Sequence, residues 1–157
     1  LGKFLPHFLI QCVNSFLIIG IVFYGFNIPV YGSLPGIVLL FSIFSGVNIL
    51  LGMMISALVK DELLATEIVI FYNTPAFIFS GFTFPLWSMP LLHSAYAQIM
   101  PFTHFLNAYL KIHQMDAPFN LLVNDILILL GFLFIGLTVT TLALHHRINK
   151  IRAADGI

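Results

Sequence analysis

The sequence predicts an all-α membrane protein: a polytopic bundle of four transmembrane helices with a re-entrant outer helical hairpin between the third and the fourth. Three observations carry that expectation. Hydrophobic residues make up 60% of the chain and charged ones only 8%, where a soluble domain carries about 25% charged residues. No Asp, Glu, Lys or Arg occurs between Phe4 and Val59, and the charges that follow are confined to a few short clusters. Six Lys and Arg balance six Asp and Glu, so no net field recruits nucleic acid or an acidic partner.

Pro29, Gly32, Pro35 and Gly36 divide the first long apolar stretch into two spans, 7–26 and 36–59. Each has at least about 20 residues, enough at roughly 1.5 Å per residue to cross a hydrocarbon core of about 30 Å. Lys60, Asp61, Glu62 and Glu67 then interrupt the apolar run. Charges at mid-membrane cost about 2.5–3.5 kcal/mol each, so this cluster predicts a water-exposed loop. A third span is expected over 66–84, with Pro75 tolerated inside it as a kink, and a fourth over 121–144 before a cytoplasmic tail, 145–157.

The stretch from 85 to 112 contains Pro85, Pro90 and Pro101 but no charge before Lys111. Only about ten residues can form an unbroken helix between Pro90 and Pro101, too few to span. Two short outer helices that dip into the membrane and return are therefore expected, with Trp87, Tyr96 and Tyr109 at interfacial depth. Charge placement agrees. With four spans and the N-terminus inside, Lys3, Lys60, Arg147, Lys150 and Arg152 are cytoplasmic and only Lys111 lies outside, whereas a fifth span would split these six residues evenly. The first arrangement is the one that positive residues prefer, and it leaves both ends of the chain cytoplasmic.

The outer hairpin carries the sequence SGFTFPLWSMP from Ser80 to Pro90, followed by MPFTHFLNAYL from Met100 to Leu110. These segments resemble the permeases of type-2 ABC exporters, in which Ser-Gly-x-x-x-Pro-x-x-x-Met-Pro closes the fifth transmembrane helix and Pro-x-Thr-x-Phe lies in the second short outer helix. LGKFLPHFL at the start and LLGMMISALVKDE around the charged cluster are similar to that family's third and fourth helices. The resemblance implies that the chain is the C-terminal part of such a transmembrane domain, helices three to six, and the absence of an initial Met fits a fragment or a processed product.

It further implies a permease subunit of an exporter or efflux system in the cell's inner membrane. A second permease chain, identical or not, would complete the substrate path, and a separate ABC ATPase would bind ATP and Mg. A periplasmic adaptor is a further partner the resemblance allows. The chain itself would bind no cofactor and catalyse nothing: it has no phosphate-binding glycine loop, no Ser-His-Asp set and no paired carboxylates. The other readings are a membrane scaffold subunit that binds an external partner, and a secondary transporter.

Within the hairpin, Ser80, Gly81, Pro85, Met89, Pro90, Pro101, Thr103 and Phe105 are the family-motif residues, and glycine and proline there suit a chain that must turn back. Phe71, Asn73 and Phe77 on the third span are the expected substrate-path residues, because the corresponding family helix borders the central cavity. Asp125, about one turn inside the fourth span, joins them because an embedded acid points to function. The histidines, His7, His93, His104, His113, His145 and His146, lack the spacing of a helical metal site, so no metal is expected. His145 and His146 with the basic tail read as an interfacial anchor. Cys12 reads as a small apolar side chain. Asn14, Ser15, Ser42, Ser45, Asn48, Ser56, Asn73 and Thr74 are expected to face protein, and Gly46 and Gly52 to allow close helix approach.

Overall fold

A computed structural model describes residues 4–29 and 31–154. Lys3, the side chains of Arg147, Lys150 and Arg152, and the end of the tail lie outside the described residues, so the expected basic anchor is only partly in view. Every regular element is a helix, with no strand among the described residues. Helix α1 covers Phe4–Gly20 and continues as a π-helical turn, Ile21–Gly25. Helix α2 covers Leu34–Leu58, α3 Glu62–Phe79, α4 Leu91–Ile99, α5 Pro101–Met115 and α6 Val123–Ala154. Among the described residues four helices are long and apolar enough to cross a membrane: Phe4–Gly25, Leu34–Leu58, Glu62–Phe79 and Val123–His146.

The charged cluster produces a shorter loop and an earlier helix than the sequence reading of 66–84. The Asp61 carboxylate accepts hydrogen bonds from the Leu63 and Leu64 amides at 2.9 and 3.4 Å, and Glu62 adds negative charge to the first turn. Both satisfy the unpaired amides and the dipole of a helix N-terminus, so α3 starts at Glu62. It stops at Phe79 because the Ser80 hydroxyl donates to the Phe77 carbonyl and accepts from the Phe82 amide. Gly81 then takes φ +98°, a backbone that other residues adopt only with strain.

α3 therefore has 18 residues against 25 in α2, which makes it about 10 Å shorter. The α4 and α5 pair fills the space beside that difference. Pro101 opens α5 at its first position, where its missing amide is harmless, and Asp116 closes it in the left-handed conformation. Phe102 and Phe105 meet Phe44 and Phe41, halfway along α2, whereas Ile112 reaches the loop before α2. α5 thus runs back along the first half of α2. At its far end a Cβ on Gly32 would collide with the Ile112 carbonyl, so glycine is what lets the chain just before α2 sit on this helix.

α2 and α6 pack most extensively. Ile37, Leu40, Phe105, Ala108, Ile112, Leu122 and Leu129 form the buried core with Ile19 and Phe23 of the first span. Between helices in lipid there is little hydrophobic drive, so small residues and close contact decide association. Gly46 faces Leu133 and Phe8, and Ser45 is buried, whereas Gly52 faces open space. Gly136 of α6 makes the closest approach of these, since a Cβ there would lie 3.0 Å from Leu50 Cβ. Gly136→Ala is expected to destabilise the protein by roughly 1–3 kcal/mol through overpacking. Gly131→Ala, which meets nothing within 4 Å, is expected to be neutral or to stabilise by about 0.5–1 kcal/mol. Unfolding titrations in mild detergent, run side by side, measure the difference.

Candidate functional site

Two features stand out from the packed bundle: a polar cluster beneath α5 and an aromatic-walled cavity beside α3. The polar cluster grows from spacing on one helix. His104 and Lys111 are seven residues apart on α5, two turns, so they share a face, and that face meets the first turn of α6. There the Asp125 carboxylate lies between them. Lys111 Nζ donates to Asp125 Oδ2 at 2.6 Å and to the Leu121 carbonyl at 3.1 Å. His104 Nδ1 is 3.3 Å from Asp125 Oδ1, and Nε2 is 2.9 Å from the Gln98 carbonyl at the end of α4.

The Asp125 and His104 side chains are 6% and 5% exposed and Lys111 34%. A carboxylate this buried has to be paired, because an isolated one would be expelled or neutralised. Asp125→Leu alone is expected to cost roughly 3–5 kcal/mol, since it strands Lys111 and His104. Lys111→Met in the same chain is expected to restore much of that stability, and denaturation in detergent as a double-mutant cycle measures it.

The second feature is built on phenylalanines. Phe105 stacks on Phe44 with ring centroids 4.2 Å apart and meets Phe41 edge-on at 5.0 Å. Phe102 contacts Phe44 and Phe77, both at 5.9 Å, so a line of rings joins α2, α5 and α3. Tyr109 and His113 extend it along α5 to Phe23. Burial raises the Tyr109 phenol above its ordinary pKa, so its ring enters the stack neutral. On either side of the Phe44–Phe102 pair lies a cavity. One, of about 290 Å³, is lined by Asn48, Tyr72, Asn73, Ala76, Phe77 and Pro101. The other, of about 480 Å³, opens between α1 and α2 and includes Gln11, Ser15, Ser45 and Asn48.

Of the expected path residues, Asn73 and Phe77 meet on the wall of the smaller cavity, Phe71 points outward at 79% exposure, and Asp125 belongs to the polar cluster. The hairpin residues divide similarly. Ser80 and Gly81 make the turn after α3, while Pro85, with Ser88 bonded to its carbonyl, shapes a 3₁₀ turn. Met89 ends that turn, Pro90 precedes α4, and Pro101 starts α5. Phe105 anchors the ring line, and Thr103 is wholly buried with its hydroxyl unpaired. The sequence reading did not pair His104 with Lys111 and Asp125 or single out Phe41, Phe44 and Phe102. The signals were the seven-residue spacing and the i, i+3, i+7 run of rings at 102, 105 and 109. No cluster of metal-ligating side chains occurs among the described residues.

Four apolar helices of membrane-spanning length, packed through small residues and tied by one buried ion cluster, define an integral membrane helix bundle. The chain belongs to the ABC-2 family of transporter proteins, whose sequence profile matches residues 1–142. That bears out the resemblance carried by the 80–90 and 100–110 segments. The chain is 27% identical over 153 residues to ABC transporter G family member 20 of Dictyostelium discoideum, covering 96% of this chain and 21% of that protein. It is 25% identical over 126 residues to a probable multidrug ABC transporter permease, YbhR, of Escherichia coli, covering 80% of this chain and 34% of that protein. The chain thus spans about a third or less of the relatives it matches. No solved structure matches it.

Proposed function

We propose that this chain is part of the permease subunit of an ABC exporter, and that α3 borders the substrate path. The observation that carries the reading is the open face of α3. Asn73 and Thr74 lie in the middle of this apolar helix, and both are exposed. The Thr74 hydroxyl is satisfied by the Ile70 carbonyl, but an amide such as Asn73 facing hydrocarbon costs free energy unless protein or water meets it. A second permease chain, or an aqueous path between two chains, supplies that surface. Asn73 also lies beside an aromatic-walled cavity, which suits an apolar cargo with a polar group.

In this reading α4 and α5 form a re-entrant hairpin at the outer face. What supports it is that α4 has nine residues, too few to span, and that α5 begins halfway down α2. Both chain ends are then cytoplasmic in the inner membrane. The basic residues near the tail favour that side. In this reading ATP and Mg are handled by an ABC ATPase; residues 1–157 themselves carry no phosphate-binding loop.

Full-length protein copurified with its ATPase is expected to show vanadate-sensitive ATP hydrolysis in liposomes. In the same complex, single cysteines at Ile70, Asn73, Thr74 and Phe77 should react with a membrane-impermeant thiol reagent, and one at the buried Ala76 should not. A chain in which no position from 68 to 80 reacts favours a scaffold, and transport driven by an ion gradient without the ATPase favours a secondary carrier.

A further inference from the structure

The His104 imidazole lies between two acceptors. The Gln98 carbonyl at 2.9 Å from Nε2 can only accept, so Nε2 carries a hydrogen. A neutral imidazole has no second N–H. Its Nδ1 lone pair would then face Asp125 Oδ1 at 3.3 Å, inside a site where both side chains are nearly fully buried. The other carboxylate oxygen is already met by the Lys111 ammonium. Neutral His104, ionised Asp125 and charged Lys111 are together one hydrogen short of what these contacts require.

We propose that this cluster is a proton-binding site that locks the α4–α5 hairpin onto α6. One added proton, on His104 Nδ1 or shared with Asp125 Oδ1, converts a lone-pair contact into a charge-assisted hydrogen bond, among the strongest polar contacts a protein makes. The step is protonation from water alone, and no other covalent bond changes. The site is linked to the surroundings through Lys111, the one partly exposed member. Because His104 also holds the end of α4 through Gln98, the proton ties both hairpin helices to the last span.

The groups that face the imidazole are few. Lys111 approaches from α5 and Asp125 from α6, and α4 contributes the Gln98 carbonyl, while its His93 and Tyr96 rings pack against Phe79 of α3. α2, packed on both α5 and α6, has no ionisable Asp, Glu, Lys, Arg or His between Leu34 and Leu58. α3 touches α5 through Phe77 and Phe102, and its carboxylates, Glu62 and Glu67, belong to its opposite end. Farther along α5, His113 stacks on Tyr109 and on Phe23 of the first span, and Asp116 caps the helix. The sign follows from the geometry: the added proton holds the hairpin, so the hold is present in acid and is lost as pH rises and the proton leaves.

The test uses full-length permease in lipid nanodiscs and follows amide hydrogen exchange across 103–112 between about pH 5 and pH 8, where histidine ordinarily titrates. After division by the intrinsic chemical rate, protection of α5 is expected to fall about tenfold towards the alkaline end, the size of one lost hydrogen bond to a charged group. In His104→Gln, whose amide can still donate to Gln98, protection should not depend on pH. Lys111→Met with Asp125→Asn, which removes the carboxylate without stranding the ammonium, should be equally flat. Flat protection in the wild-type protein overturns the proposal, as does an unchanged pH dependence in either variant that folds. The outcome does not depend on what the permease transports.

Discussion

A carboxylate placed under a helix in the interior of a membrane protein constrains everything around it. Asp125 is nearly inaccessible and lies in the first turn of α6, where the helix dipole favours negative charge but cannot replace a counter-ion. Lys111 supplies one from α5, with His104 against the other carboxylate oxygen, and their reach from two turns apart sets which face of α5 looks at α6. With that face fixed, the next one presents Phe102, Phe105 and Tyr109 to α2. The ring line and the close seat of Gly32 on Ile112 follow from the same docking. The two sets of contacts reinforce each other: the polar one sets orientation, and the aromatic one supplies contact area.

The long elements were legible because membrane solvation writes them into composition. A charge-free run broken by Pro29 to Gly36 gives two helices, and the Lys60–Glu62 cluster marks the turn to a third. The helix limits were less legible. Asp61 is at once part of a charge cluster and an N-cap, and only its hydrogen bonds separate those roles. The 80–110 segment could be recognised from its Gly and Pro pattern, yet its partners could not. His104, Lys111 and Asp125 look unremarkable singly, and their meeting depends on how α5 lies across α6, a tertiary fact that local sequence does not encode. The sequence places Asp125 on a substrate path because an embedded acid suggests function; in the structure it lies between Lys111 and His104, outside the linings of both cavities.

The bundle is unequally held. α2, α5 and α6 share the core, and the ion cluster ties α5 to α6, whereas α3 touches the rest along a narrow strip and leaves Asn73, Thr74 and Phe71 open. For a member of the ABC-2 family this asymmetry suits a proposed division of labour. In that proposal the tightly packed helices hold α4 and α5 in place, and α3 is the helix left to face a partner chain and the cargo. The Phe44–Phe102 pair separates cavities on its two sides, and Asn48 belongs to both, so small ring movements there would alter the space beside α3.

The central claim is that the α4–α5 segment turns back beside α2 and does not cross the bilayer. Single cysteines at Phe84, before the hairpin, and at Asn120, after it, can be tested with an impermeant thiol reagent in oriented membrane vesicles of the full-length protein. The account predicts that both react from the same side of the membrane, and reaction from opposite sides would contradict it.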